Sequence, residues 1–251
     1  MEGRCYSKNF IKKVIAKIDF NASVDIFTPD TLADAVSEIK KRFPISEQKT
    51  GIQNEITFSN VGVEQSLKKE FPEWIFHGKD RTKVLKVNHQ SIEVVLNKYD
   101  TENDFIKDVI TPISKLLSIN PNIVVQRTGI RFINIFDFKI DNFKKSSIYF
   151  TPSISANYTK MADVENCNRA IMINEFIKED IKLRVQSGYF NPDYPAIIKR
   201  NHFLLDFDAY IDSPHLINNI EVLLKKLHDI IEFKFEELIT DKLRDKVLNG
   251  R

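Results

Sequence analysis

One strand with two unlike faces, residues 127–134, constrains the fold more than any other part of the chain. The segment reads Arg-Thr-Gly-Ile-Arg-Phe-Ile-Asn. Successive side chains of a β-strand point to opposite faces, and two sets result: Arg127, Gly129, Arg131 and Ile133 on one face, and Thr128, Ile130, Phe132 and Asn134 on the other. This pattern is typical of an antiparallel sheet with one face on the core. The two guanidinium groups predict either a clamp for an anion or ion pairs with carboxylates on adjacent strands.

Strand-like and helical segments are mixed along the chain, which predicts the α+β class. The patterns indicate strands at 11–20, 53–60, 73–77, 83–88, 91–97, 124–138, 169–186 and 202–211, with a hairpin turn at Asn88-His89-Gln90. They indicate helices from Thr28-Pro29-Asp30 to Pro44, from Phe105 to Leu116 with a kink or interruption at Pro112, from Ser213-Pro214 to Ile231, and from Thr240 to Leu248.

The sequence predicts two similar halves, each a mostly antiparallel sheet packed by amphipathic helices. In each half a strand ends near an aromatic residue, Tyr99 or Tyr210, and a short acidic turn then leads into an amphipathic helix. Periodicity fades between 141 and 168, where polar residues predominate. We therefore predict an N-terminal α+β half at 1–140, a connector at 141–168, and a C-terminal α+β half with long terminal helices at 169–251.

Composition and motif content argue against most enzyme classes. The formal net charge of +2 provides no strong field for recruiting nucleic acid. None of the seven glycines lies in a dinucleotide-binding Gly-x-Gly-x-x-Gly pattern, and the five histidines show no spacing of paired metal ligands. The cysteines, Cys5 and Cys167, are isolated, which favours a reducing cytoplasm. We predict no catalytic residue and no cofactor, and the absence of a long apolar run predicts a cytoplasmic protein without a membrane segment.

Six side chains are candidates for ligand binding: Arg127, Arg131, Lys182, Arg184, Tyr189 and Tyr194. Lys182 and Arg184 share a face of the predicted strand at 169–186, together with Asp180. The two tyrosines lie in a predicted loop at 187–195, and aromatic residues on loops often serve binding. The alternative for the charged residues is ion pairing within the sheet, and the alternative for the rings is that they cover the edge of the core.

Asp206 and Asp208 are the candidate metal ligands. Alternation along the strand 202–211 places both carboxylates on one face. Two carboxylates at this spacing suit Mg²⁺ in phosphoryl chemistry. The alternative is a solvated strand face or ion pairs with neighbouring arginines.

Several short motifs resemble a sporadically distributed prokaryotic family of uncharacterised proteins. The N-terminal ones are Trp74-x-Phe76, a strand ending at Tyr99, and Arg127-x-Gly129-x-Arg131-Phe132-Ile133-Asn134. The C-terminal ones are Leu204-Leu205-Asp206-Phe207-Asp208, Leu227-His228, and Phe235-Glu236-x-x-Ile239-Thr240-Asp241-x-Leu243-Arg244. The resemblance covers nearly the whole chain. The patchy distribution of the family implies an accessory role, with anti-phage defence as one example.

Two functions follow from these observations. The first is a non-enzymatic binding or assembly component of a prokaryotic accessory system, with a protein partner or self-association. The alternative is a protein that binds or hydrolyses phosphate esters or nucleotides, in which arginines and lysines hold phosphates and Asp206 and Asp208 hold Mg²⁺. Nucleic acid also stays open as a partner, because a local basic patch does not need a high net charge.

Overall fold

The computed structural model describes residues 6–21, 29–59, 62–119, 122–137, 143–162, 166–195 and 202–250. The strands are β1 (Ile11–Phe20), β2 (Ile45–Ser59), β3 (Gly62–His77), β4 (Lys83–Val87), β5 (Ser91–Leu96), β6 (Val124–Phe136), β7 (Ala170–Lys178), β8 (Ile181–Phe190), β9 (His202–Ile211) and β10 (His215–Leu216). The α-helices are α1 (Pro29–Arg42), α2 (Glu102–Ile119), α3 (Pro152–Thr159) and α4 (Ile220–Leu238). Short 3-10 segments occur at Phe143–Ile148 and Ile217–Asn219, and a π-helical segment occurs at Leu243–Leu248. The α+β class is confirmed.

The chain forms two compact units, each assembled from separate segments. Unit 1 contains 1–14, 129–211 and 224–251, and unit 2 contains 15–128 and 212–223. The boundaries of the units fall within β1 and β6, so each of these strands contributes residues to both units.

Unit 2 contains a sheet in the order β2-β3-β4-β5-β1-β6, with β10 paired to β6. The predicted hairpin turn between β4 and β5 is confirmed, because the carboxamide oxygen of Asn88 accepts hydrogen bonds from the N–H groups of Gln90 and Ser91, both at 2.9 Å. Helix α2 continues through Pro112, so, of the predicted kink or interruption there, the interruption is wrong.

One buried carboxylate links the elements of unit 2. Asp108 of α2 accepts hydrogen bonds from Nζ of Lys83 at 2.8 and 3.0 Å and from Nε of Arg42 at the end of α1. Its side chain is buried, and two cations compensate the loss of its hydration. The Lys83 ammonium also lies 4.8 Å from the ring centroid of Phe43. The cluster therefore fixes both helices to β4.

The β2–β3 hairpin is longer than the strand beside it. β4 pairs only with the 74–77 part of β3, whereas β2 pairs with β3 along 62–77. The 62–73 part of β3 is therefore one strand of a two-stranded ribbon.

Unit 1 contains a sheet in the order β1-β6-β9-β8-β7, with α3 and the 224–238 part of α4 in the same unit. Aromatic rings fill its core: Phe150 stacks on Phe203 with centroids 3.9 Å apart, and Tyr158 of α3 meets the rings of Tyr189 and Phe203 edge to face. Leu227 and Ile231 of α4 are buried on the helical side of the same unit. The residues of α3 lie in the range that the sequence predicted as a connector.

The predicted strand 169–186 is wrong in one respect, because the chain reverses within it. β7 and β8 pair as an antiparallel hairpin around a turn at Glu179 and Asp180, and Glu179 has a φ of +55°. β8 continues to Phe190, so the first four residues of the predicted aromatic loop 187–195 are strand. The longest helix also begins later than predicted, at Ile220.

Gly188 in β8 lies where a side chain has no room. Its φ is +142°, and an added Cβ would lie 2.2 Å from both the Ala170 carbonyl oxygen and the Tyr158 hydroxyl. The Tyr158 hydroxyl donates a hydrogen bond of 2.9 Å to the carbonyl of Ser187. Glycine at this position therefore lets α3 approach the sheet closely.

Within the part of the chain that the structure describes, no helix has both the length and the apolar character required to cross a membrane.

Candidate functional site

Arg131 and Asp206 form a two-pronged ion pair between β6 and β9. Nε of Arg131 donates to Oδ1 at 2.8 Å and Nη2 donates to Oδ2 at 2.6 Å, while Gln186 adds a longer contact of 3.4 Å to Oδ2. The Asp206 side chain is only 4% exposed, and that of Arg131 is 40% exposed. The hydrogen bond to Asp206 raises the pKa of the Arg131 guanidinium above its ordinary value. Arg131, which the sequence predicted as part of a possible anion clamp, thus binds the Asp206 carboxylate of its own chain.

A second charged row crosses the same face of the sheet. Arg184 lies opposite Asp208 on β9 and opposite Glu175 on β7, and directly opposite residues in an antiparallel pair share a face. Nε of Arg184 lies 3.7 Å from Oε1 of Glu175, and both of these side chains are exposed. Asp208 also helps to raise the pKa of Arg131 through its charge, as a smaller contribution than that of Asp206. Acids and bases therefore alternate across this face.

Lys182 extends the same face toward the end of β8. It lies opposite Tyr210, and its ammonium nitrogen is 5.9 Å from the centroid of that ring. This is a cation–π arrangement at a partly exposed site, which contributes roughly 0.5–1 kcal/mol. One face of the sheet therefore brings Arg131 together with four other predicted site residues, which are Lys182, Arg184, Asp206 and Asp208.

Arg127 lies in unit 2, where its strand is tied to β10. Next to it, Thr128 is fully buried and shares a hydrogen bond of 2.8 Å with Nε2 of His215. The Nδ1–H of His215 donates to the carbonyl of Ser213 at 2.8 Å, because a carbonyl only accepts, and Nε2 is left to accept from the Thr128 hydroxyl. Although a hydroxyl, an imidazole and an acceptor in series are typical of an activated nucleophile, the burial of Thr128 keeps substrates away. The series joins β6 to β10.

The two candidate tyrosines lie in different environments. Tyr189 is buried among Tyr158 and Phe203, and this burial raises the pKa of its hydroxyl. Tyr194 is exposed, and the Arg169 guanidinium lies 6.0 Å from its ring centroid. Of the two, Tyr194 is the one that an external molecule can reach.

Sequence reasoning missed an apolar strand that is exposed at the edge of the sheet. β7 ends the strand order of the described sheet, and its Ile173, Phe176 and Ile177 are 49%, 43% and 71% exposed. The ammonium of Lys234 on α4 lies 4.5 Å from the Phe176 ring centroid. A signal was present, because the segment Ala-Ile-Met-Ile-Asn-Glu-Phe-Ile-Lys has apolar residues at both odd and even positions. That pattern indicates a strand with both faces covered.

A group of side chains with metal-ligand chemistry lies on α4. One ligand atom from each of His228, Asp229 and Glu232 lies within 4.8 Å of the others. The sequence search for paired histidines did not find this group because it contains a single histidine.

Comparison with models of protein families and with curated protein sequences finds no match for this chain.

Proposed function

We propose that the protein is a non-enzymatic assembly component that associates with a second copy of itself through the edge strand β7. The observation that carries the proposal is the exposed apolar surface along an edge strand. Edge strands in monomeric proteins are usually protected by proline, by inward-pointing charges or by bulges, because their free backbone groups recruit other strands. β7 has no proline, and its charged residues are confined to Glu175 and Lys178.

The sequence of β7 favours a second copy as the partner. When two copies of β7 run antiparallel with their Asn174 residues opposite each other, the strands overlap along all nine residues. Ile171 then faces Ile177 of the other copy, and Met172 faces Phe176. Cross-strand pairs of apolar side chains contribute roughly 0.2–1 kcal/mol each, and the two-fold axis makes every such pair occur twice.

The polar residues of β7 also fit this register. Asn174 meets its own copy on the axis, where two carboxamides supply both donors and acceptors. Lys178 faces Ala170, so its aliphatic stem lies along a small side chain while the ammonium stays in water. Glu175 faces Ile173 and can keep its carboxylate in water, since its side chain is largely exposed in the single chain.

The phosphate-ester alternative has less support from the geometry. Arg131 and Asp206 direct their hydrogen bonds to each other, and Arg184 has carboxylates on both sides. A face of alternating charge attracts a polyanion less than a basic patch does. Hydrolysis of a nucleotide or nucleic-acid substrate with added Mg²⁺, lost in Asp208→Asn, is the result that would favour this alternative.

The biological setting in this proposal comes from the resemblance to a sporadically distributed prokaryotic family. An accessory system such as anti-phage defence uses protein components that assemble, and an exposed pairing edge suits that role. A plaque assay in a host with and without the gene, and with the β7 variants below, tests the setting separately from the assembly.

Sedimentation velocity over a range of protein concentrations tests the assembly. We expect the full chain to dimerise in the micromolar range, at about −8 kcal/mol. Ile177→Lys should weaken the dimer at least tenfold, because it buries an unpaired ammonium in the interface. Val222→Lys is the matched control, since Val222 is 70% exposed, as Ile177 is at 71%, but lies on α4. A wild-type chain that remains monomeric at every concentration refutes the proposal.

A charge pair tests the register. Ile171→Lys alone and Ile177→Glu alone should each weaken the dimer, whereas the double variant should restore it because each lysine then faces a glutamate of the other copy. The two positions are six residues apart on one strand, so they are roughly 20 Å apart and do not pair within a chain. A double variant weaker than both single variants would contradict the proposed register.

A further inference from the structure

One turn of α4 places three metal-ligand side chains on neighbouring positions. His228 and Glu232 are four residues apart, and Asp229 and Glu232 are three residues apart, which are the spacings at which side chains meet on a helix surface. Their ligand atoms all lie within 4.8 Å of one another. The ligand atoms of a tetrahedral zinc site are about 3.3 Å apart, given bonds of roughly 2.0 Å. Metal binding at this turn therefore requires the two carboxylates to rotate toward the imidazole.

The surroundings hold the histidine in a fixed position. The His228 ring meets Phe132 of β6 edge to face, with centroids 5.5 Å apart and planes at 73°. Its helical neighbours Leu227 and Ile231 are buried and anchor this turn of α4 in the core of unit 1. A ligand whose backbone and ring are already ordered loses little entropy on binding a metal.

The charges favour a divalent cation. Asp229 and Glu232 bring two negative charges to one helical turn, and a divalent cation between them reduces their mutual repulsion. One imidazole nitrogen and two carboxylates neutralise a 2+ ion and leave one tetrahedral position for water. Imidazole suits Zn²⁺ and related ions, whereas Mg²⁺ prefers oxygen ligands alone.

We infer that His228, Asp229 and Glu232 form a binding site for a borderline divalent metal ion such as Zn²⁺. The site is separate from Asp206 and Asp208, and it does not depend on pairing of β7. Its three protein ligands lie on a single helical turn, so the ion stabilises α4 directly.

Isothermal titration of Zn²⁺ into untagged, metal-stripped full-length chain tests the inference, and Co²⁺ gives an absorption band that reports tetrahedral coordination. We expect one ion per chain. His228→Gln and Glu232→Gln should each weaken binding at least tenfold, and Mg²⁺ should not displace the ion. The matched controls are His89→Gln and Glu237→Gln, of which the second removes a carboxylate of α4 that pairs with Lys234.

Thermal unfolding separates a lost ligand from a misfolded variant. Zn²⁺ should raise the melting temperature of the wild type and of both controls, but not that of Glu232→Gln, which keeps the size and shape of the half-buried side chain and leaves the His228 ring on Phe132. The inference is overturned if the wild type shows no saturable Zn²⁺ binding below about 1 mM, or if Glu232→Gln binds as tightly as the wild type.

Discussion

Replacing Arg131 by methionine is expected to destabilise the protein more than replacing its partner, Asp206, by asparagine. The substitution leaves the Asp206 carboxylate, 4% exposed, with the 3.4 Å contact from Gln186 as its remaining described hydrogen bond. Breaking a buried ion pair from one side costs about 3–5 kcal/mol. Because Arg131 itself is 40% exposed, solvent screens part of the interaction, and we expect about 3 kcal/mol for Arg131→Met.

The opposite change should cost less. In Asp206→Asn the guanidinium loses its counter-ion but can turn to water, so we expect about 1–2 kcal/mol. The double variant Arg131→Met with Asp206→Leu should lie within about 1 kcal/mol of the wild type, since apolar residues often replace a buried pair without loss. With Asp206→Leu also measured alone, the summed costs of Arg131→Met and Asp206→Leu should exceed the cost of the double variant, because the two side chains bond directly to each other.

Urea unfolding followed by circular dichroism measures these differences. Arg184→Met is the matched control, because the Arg184–Glu175 pair is exposed and should contribute less than about 1 kcal/mol. The reasoning is refuted if Arg131→Met costs no more than Asp206→Asn, or if it costs no more than the control.

Three further predictions concern tyrosine ionisation, close packing and a buried carboxylate. Burial raises the pKa of Tyr158 to about 12 from the ordinary value of 10.0. The folded state therefore keeps the proton to higher pH than the unfolded state, and stability that is present below about pH 10 should be lost as the pH rises toward about 12. Urea unfolding at each pH should show a smaller loss of stability for Tyr158→Phe than for the wild type. Gly188→Ala should cost at least about 3 kcal/mol through overlap and strain, whereas Gly250→Ala, also at positive φ but with no atom within 4 Å of an added Cβ, should cost about 1 kcal/mol. Asp108→Ala should cost about 2–4 kcal/mol in the same assay, because it removes the acceptor shared by two cations.

A specific experimental result would contradict each of these three predictions. An unchanged pH dependence in Tyr158→Phe would show that this hydroxyl does not ionise on unfolding. Equal costs for the two glycine variants would show that backbone strain, and not overlap with the Ala170 carbonyl and the Tyr158 hydroxyl, sets the requirement for glycine. A neutral Asp108→Ala would show that the helices of unit 2 are held by apolar packing alone.

Local patterns predicted the local structure of this protein well. The hairpin turn at Asn88 followed from residues that favour turns, and the alternation in β6 is visible in the burial of Ile130, Phe132, Asn134 and Phe136 on one side. The turn at Glu179 was missed because glutamate is uncommon at positive φ, whereas Asn-Gly or Asp-Gly usually marks such a hairpin. Tyr189 was placed in a loop because the preceding Ser187 and Gly188 are typical of turns.

Non-local pairing limited the prediction of the site. The sequence left open whether Arg131 holds an external anion or a carboxylate of its own chain, and the answer depends on strand order: Asp206 is 75 residues away in sequence. The edge position of β7 likewise depends on the whole strand order. For α4, paired histidines are the usual sequence signal of a metal site, whereas the three side chains that meet there are of three residue types.

The division of the chain into interleaved segments has a consequence for biosynthesis. Unit 2 needs both 15–128 and 212–223, and unit 1 needs both 129–211 and 224–251. A ribosome making about 5–20 residues per second therefore spends roughly ten seconds or more on an emerging chain in which neither unit can close. During that time β7 and the other apolar strands are available to chaperones, and ribosome stalling before residue 212 should yield a nascent chain that stays protease-sensitive.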